Sequence, residues 1–434
     1  LLTSSMCGAN LSATESGSED VTAPLFDDLG NYHFEITTSS SDAQKYFDQG
    51  LILSYAFNHA ESARSFREAQ RLDPNCAMCF WGEALVLGPN INKPMDPSDN
   101  ASAYQLMSEA KQRMGGVTPV EKSLIDALAT RYSESGTKDR TSLDGAYAAA
   151  MRDLVERYPE SLEVNTLAAE AIMDTMPWDY YEPDGSAKPD TLAATSLLER
   201  VLRQNPNHAG AIHLYIHIVE PSTTPQRAEA AADRLEDLAP GAGHLVHMPS
   251  HIYLRVGRYA DASAANERAA LADESYIAQC RAQGFYPALY YPHNVHFLWY
   301  SASMEGRSKV ALDAARKLVE KVPEAMLEKV PFLQSFGAAP YFGLIRFAKW
   351  DEILSLPEPD ANLEFIVSMW HASRSVAAFR SGNTDLAQNE FGRFREMAEQ
   401  VVSSKVAYGF PAAEILQIAE YFVEAEGAAV RKDY

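Results

Sequence analysis

Seven of the eleven histidines fall in three short stretches, AIHLYIHIVE (211–220), GHLVHMPSHIY (243–253) and YPHNVHFLWY (291–300). They are His213, His217, His244, His247, His251, His293 and His296. Imidazole nitrogen is a ligand for Zn, Cu, Ni or Fe, and two histidines four apart on a helix can chelate one ion. His213/His217 and His247/His251 have that spacing, while His244/His247 and His293/His296 are three apart, which also shares a helical face. Glu170 and Glu220 are the carboxylates expected to complete such a site, as ligands or by orienting imidazoles. A transition metal, Zn or Cu, is therefore the expected cofactor, lost as pH drops through about 6.5 because protonated imidazole cannot ligate.

The same side chains also suit an organic ligand. Asp174, Trp178, Tyr180, Tyr181, Arg255 and Tyr300 together with the histidines would line a groove for a peptide, a glycan or a small molecule. A metal-dependent enzyme is a further alternative, although the chain has no HExxH, GxSxG, P-loop or GxGxxG pattern. Self-assembly into a homo-oligomer, filament or surface layer is the structural alternative. A chain of buried polar groups satisfying one another would need none of these ligands.

The elements that must position these residues are helices. Strand-like alternation is essentially missing and the class is all-α. Prolines at 74, 159, 206, 240 and 323 end helix pairs, and Pro206 to Pro240 is one period of 34 residues. Second helices carry a small-large-small signature: Ser62/Phe66/Ala69, Ala228/Ala232/Leu235, Ala262/Asn266/Ala269 and Ala311/Ala315/Leu318. GRYADA (257–262) reads as the turn into a second helix and FAKWDEI (347–353) as a looser copy. This is the tetratricopeptide-repeat pattern, which predicts a right-handed α-solenoid of helix pairs over 31–434. Insertions interrupt it around 88–99, 133–140, 176–190 and 274–291.

In this register the histidines occupy positions 2, 5 and 9 of first helices. At 100° per residue that face lies roughly 120° from the packing face, so the imidazoles should line the concave groove. Equal positions on adjacent first helices lie about 8–10 Å apart between axes. His213, His217, His247, His251 and His296 should then converge. His59 and His371 are expected to be structural, and Met151, Trp299, Trp350 and Phe379 to be core.

A net charge of −22 argues against nucleic acid or an anionic membrane as partner. No apolar run is long enough for a transmembrane helix. Residues 1–30 read as a polar tail, whose start, LLTSSMCGANLSA, has features of a signal-peptide or lipoprotein-like leader around Cys7. CAMC (76–79) reads as a local disulfide or two buried thiols before a redox pair or half a thiolate site; Cys280 completes the four cysteines. NLS (10–12) and NAS (100–102) are glycosylation sequons.

Several strings are more specific than the generic repeat: QGLILSYAFNHAESARSF (49–66), CAMCFWGEA (76–84), GPNIN (88–92), MPWDY (176–180), HLYIH (213–217), GHLVHMPSHIY (243–253) and YPHNVHFL (291–298). They resemble a family of bacterial tetratricopeptide-repeat proteins, many of them exported. The resemblance implies the helix-pair fold and export, and it brings no activity.

Overall fold

The computed structural model describes residues 23–134, 139–280, 286–322, 324–404, 406 and 408–432. Cys7, the sequon at Asn10, the leader-like start and Pro323 lie outside them. Contacts group the chain into two compact units, the first ending at Pro287 and the second starting at Ala288.

The first unit begins with α1 (Ser41–Tyr55), α2 (His59–Leu72), α3 (Ala77–Leu87), α4 (Asp99–Gln112) and α5 (Pro119–Leu128). It continues with α6 (Arg140–Arg157), α7 (Leu162–Met173), α8 (Pro189–Gln204) and α9 (Ala209–Val219). It closes with α10 (Glu229–Leu235), α11 (Gly243–His247), α12 (Pro249–Val256) and α13 (Tyr259–Cys280). The described residues contain no strand, only two isolated bridges, Asn90 with Lys93 and Tyr181 with Ala187. Consecutive helices pack on one another, except that α10 packs on α12 and not α11, as helix pairs must to bury an amphipathic face. All twelve small-large-small residues are fully buried. The all-α helix-pair architecture read from the repeat is thus the architecture observed.

The turn between paired helices recurs. Gly257, Gly306, Gly382 and Ala348 have positive φ, and the next N–H reaches back to a carbonyl five residues earlier. Phe57 (φ 54°) holds the same place after α1, with Asn58 N–H donating to Leu53 O at 2.9 Å. This left-handed position after a helix normally takes glycine.

Residues 23–40 run as an extended strap over the first unit. Thr37 hydrogen-bonds Glu121 of α5 through N–H and hydroxyl at 2.6 and 2.7 Å. Thr38 and Ser39 engage Asp73, Tyr32 donates to Glu163 of α7, and Gly241 N–H donates to Asp28 O at 2.8 Å. Phe26 packs on Tyr276 of α13. The described part of the polar N-terminal segment is therefore packed, and it touches both early and late helices of its unit.

The second unit contains α14 (Tyr291–Glu305), α15 (Ser308–Lys321), α16 (Glu324–Lys329), α17 (Gln334–Gly337) and α18 (Ala339–Arg346). It ends with α19 (Trp350–Ser355), α20 (Glu364–Arg380), α21 (Thr384–Ser403) and α22 (Ala412–Arg431). Leu312, Leu344, Ile353 and Ala377 form a core cluster with Trp350 packed against it. His371 is buried and pairs with Glu390 at 2.6 Å, a structural contact.

Cys76 and Cys79 form a disulfide, and Cys280 is a free, half-buried thiol. Asn100 of the second sequon is buried, with its amide donating to Ser133 O at 2.7 Å, so it presents no glycosylation acceptor. Met151 and Phe379 are core, while Trp299 and Trp350 are half-buried. Among the described residues, no helix is long and apolar enough to cross a membrane.

Candidate metal centre

Helix α9 reads AGAIHLYIHIV and every one of its residues is buried. A helix apolar all round has no face left for solvent. His208 caps its N-terminus, Nδ1 accepting from Ala211 N–H at 3.1 Å. Gly210 lies against the Tyr55 ring so closely that a Cβ there would come within 2.6 Å of it. That approach brings α9 onto the end of α1, and His213 Nδ1–H donates to Tyr55 O at 2.5 Å.

This corrects the groove expectation. His213, His217, His244 and His247 are 0–1 % exposed and His251 is 7 % exposed. Their face is not open because the chain itself covers it. Phe57 lies edge-on to His213 and stacks on His217 and His244 at 4.5, 5.9 and 5.5 Å between ring centroids. Trp178 meets His217 at 5.2 Å and is held by a hydrogen bond from its indole N–H to Asn92 Oδ1. Both covering aromatics have positive φ, which bulky residues rarely adopt and which clusters at functional sites.

Within this cover the imidazoles converge. His213, His217 and His244 each offer a nitrogen within 4.8 Å of the others. His213 Nε2 faces His244 Nε2 at 3.1 Å. His217 Nε2 is buried and makes no hydrogen bond among the described residues. His247 Nε2 faces His251 Nε2 at 2.9 Å. Glu220, one residue beyond α9, reaches His251 Nδ1 with Oε2 at 2.6 Å and His217 Nδ1 with Oε1 at 3.5 Å.

The electrostatics favour neutral imidazole. Burial pushes His213 and His247 well below the ordinary 6.5, helped by His217 and His251 respectively, and burial also lowers His217. Burial pushes the Glu220 carboxyl up, but the His251 and His217 imidazoles beside it outweigh that and hold it below the usual carboxylate range. The arrangement is an anionic carboxylate beside a buried cluster in which His213, His217 and His247 favour the neutral form.

The remaining expected residues are placed elsewhere. Glu170 is not brought onto an imidazole; it interacts with Asp174 and Arg131, and burial followed by the Asp174 charge raises its carboxyl. Asp174 is buried and accepts from Arg131 at 2.6 Å, while Arg131 also holds Asp144 at 2.9 Å. Tyr180 is fully buried. Tyr181 donates to Ile218 O at 2.8 Å and lines a surface cleft of about 310 Å³ with Glu199 and Arg227. Arg255 caps the backbone carbonyls of Glu220 and Ser222. None of these forms a ligand floor beside the histidines; only Trp178 reaches them. His293, His296 and Tyr300 belong to the second unit. There His293 packs on Phe297, His296 lies against Trp299 and Phe336, and Tyr300 is 43 % exposed. Burial lowers His296 to about 4. His59, expected to be structural, contacts Asn90 at 3.3 Å, and burial lowers it to about 3.

Sequence reasoning missed Phe57, the Tyr55 carbonyl, Asn92 and Asn266 as partners of the cluster. The one signal available was Phe57 itself, a large residue at the turn position where related turns have glycine or alanine.

No family model matches the chain, and no curated protein matches it. Among solved structures it is similar to yeast Tom70, at 12 % identity over 91 % of this chain and 90 % of that one, with a TM-score of 0.29. It is similar also to a human IFIT1 dimer with m7Gppp-AAAA, at 12 % identity over 92 % and 90 %, TM-score 0.39. The P58(IPK) TPR domain aligns at 13 % identity over 88 % and 99 %, TM-score 0.21. At these values the likeness goes no further than helical-repeat architecture.

Proposed function

We propose that this helical-repeat protein binds a transition metal, Zn or Cu, through His213, His217 and His244 inside its first unit. The observation that carries the reading is the triad itself: three buried imidazoles with ligand atoms within 4.8 Å of one another. Two nitrogens 3.1 Å apart and each about 2.05 Å from one ion would subtend roughly 100°, an angle that zinc or copper accepts. His213 Nδ1–H is tied to a backbone carbonyl, which orients a metal-binding histidine and leaves Nε2 as the ligand atom. A buried imidazole nitrogen without a partner, as at His217, costs about 1–3 kcal/mol, and an ion removes that cost.

A peptide or glycan in an open inner groove is disfavoured, because Phe57 and Trp178 cover the imidazoles. Export is part of the proposal; the Cys76–Cys79 disulfide supports an oxidising compartment.

The test is elemental analysis of the full chain purified without a polyhistidine tag. Bound Zn or Cu is expected, with the triad's ion lost in His213→Ala/His217→Ala and a lower melting temperature after chelator treatment. Protein that takes up neither metal on reconstitution and melts identically with and without chelator would sink the reading.

A further inference from the structure

We propose that the first unit binds a second transition-metal cation between His247 Nε2 and His251 Nε2, making the buried histidine cluster a two-metal centre. The inference rests on the reading above, that the neighbouring triad takes the first ion.

Asn266 fixes the state of His247. Its amide nitrogen donates to Ala262 O at 2.7 Å, so the group facing His247 Nδ1, at 2.6 Å, is the amide oxygen. An oxygen acceptor at that distance requires Nδ1–H. Ser250 Oγ, 3.4 Å from the same nitrogen, can accept as well. Glu220 does the same for His251: its carboxylate Oε2 lies 2.6 Å from His251 Nδ1, which must carry hydrogen.

With hydrogen on Nδ1, each ring in its neutral form has its lone pair on Nε2. Those two Nε2 atoms face one another at 2.9 Å. Lone pairs at that separation repel, and a metal ion or a proton between or beside them removes the repulsion. A proton would make one ring an imidazolium with Glu220 as its counter-charge. A metal ion uses both lone pairs and leaves the two Nδ1–H groups where they are. An oxygen acceptor on the far nitrogen of each ligand ring is the arrangement that fixes and strengthens metal-binding histidines. Glu220 belongs to both halves, with Oε1 toward His217 and Oε2 toward His251, and supplies negative charge between them.

The experiment measures metal per chain on the tag-free full-length protein loaded with Zn(II), and separately with Cu(II), then dialysed. Two ions are expected in the parent. His247→Ala/His251→Ala should leave one, and His213→Ala/His217→Ala should also leave one, with circular dichroism confirming helix content. Asn266→Leu keeps the bulk and removes only the acceptor behind His247. It should weaken one of the two ions by about 10–100-fold in competition with a chromophoric chelator. A parent with one ion that survives His247→Ala/His251→Ala overturns the second site, leaves the triad standing and assigns the gap to a proton. One ion that disappears with His247→Ala/His251→Ala but survives His213→Ala/His217→Ala overturns the triad reading instead. Two ions unchanged by His247→Ala/His251→Ala overturn this assignment, and none in the parent overturns both.

Discussion

His213 Nδ1 and Glu220 Oε2 show how little of the cluster's chemistry is carried by the histidines alone. A backbone carbonyl fixes one ring and a carboxylate another, leaving Nε2 atoms turned inward. Burial lowers His213, His217 and His247 below 6.5, so protons compete for these nitrogens only at lower pH. Metal release in an acid titration should therefore fall below pH 6.5, not at it; half-release at 6.5 or above would contradict the buried site. In metal-free protein the sign is set by the same shifts. These groups are depressed in the folded state, so their contribution to stability is present above 6.5 and is lost as pH falls through the folded values. Glu170 runs the other way. Its folded carboxyl is raised, so stability from its proton is lost as pH rises past the ordinary 4.5. Glu170→Gln should flatten the alkaline side of a melting-temperature profile; an unchanged slope there would refute that assignment.

Helix α9 and the turn after α1 explain which parts were legible in the sequence. The small-large-small positions lie within one helix pair, and their period alone places them in the core. Histidine spacing on α9 and on α11–α12 likewise predicted that His213, His217, His247 and His251 share a region. The side they face was not legible, since it is set by Tyr55 and Phe57, more than 150 residues away in sequence. Two substitutions test this packing. Gly210→Ala puts a methyl into the Tyr55 ring and should cost about 1–3 kcal/mol, while weakening metal retention. Phe57→Gly relieves a left-handed backbone worth about 1–3 kcal/mol but forfeits a buried ring worth about 3–5 kcal/mol. Net destabilisation with faster metal loss to chelator is expected; a more stable variant that keeps its metal would show that the ring is not needed as cover.

At the scale of the whole molecule, the first unit departs from a repeat array in which each pair touches only its neighbours. The strap ties α1, α5 and α7 to the turn before α11 and to α13. Gly30 has φ +78°, and a Cβ there would lie 1.9 Å from Leu238 O, so Gly30→Ala cannot be accommodated locally. It should loosen the strap, raise proteolysis within 23–40 and speed chelation of the histidine-bound metal, with the second unit's melting unaffected. Unchanged protease resistance would show that the strap docks without this turn. The strap also imposes an order in time. Asp28 is synthesised early, but its partner Gly241 follows only after another 213 residues. At about 5–20 residues per second that is a wait of roughly 10–40 s. Through that interval Phe26 and Leu29 have none of their late partners, and the imidazoles of α9 and α11 do not yet exist together. The proposed metal site can therefore form only after α11 has been made, and until then the strap lacks its late docking partners.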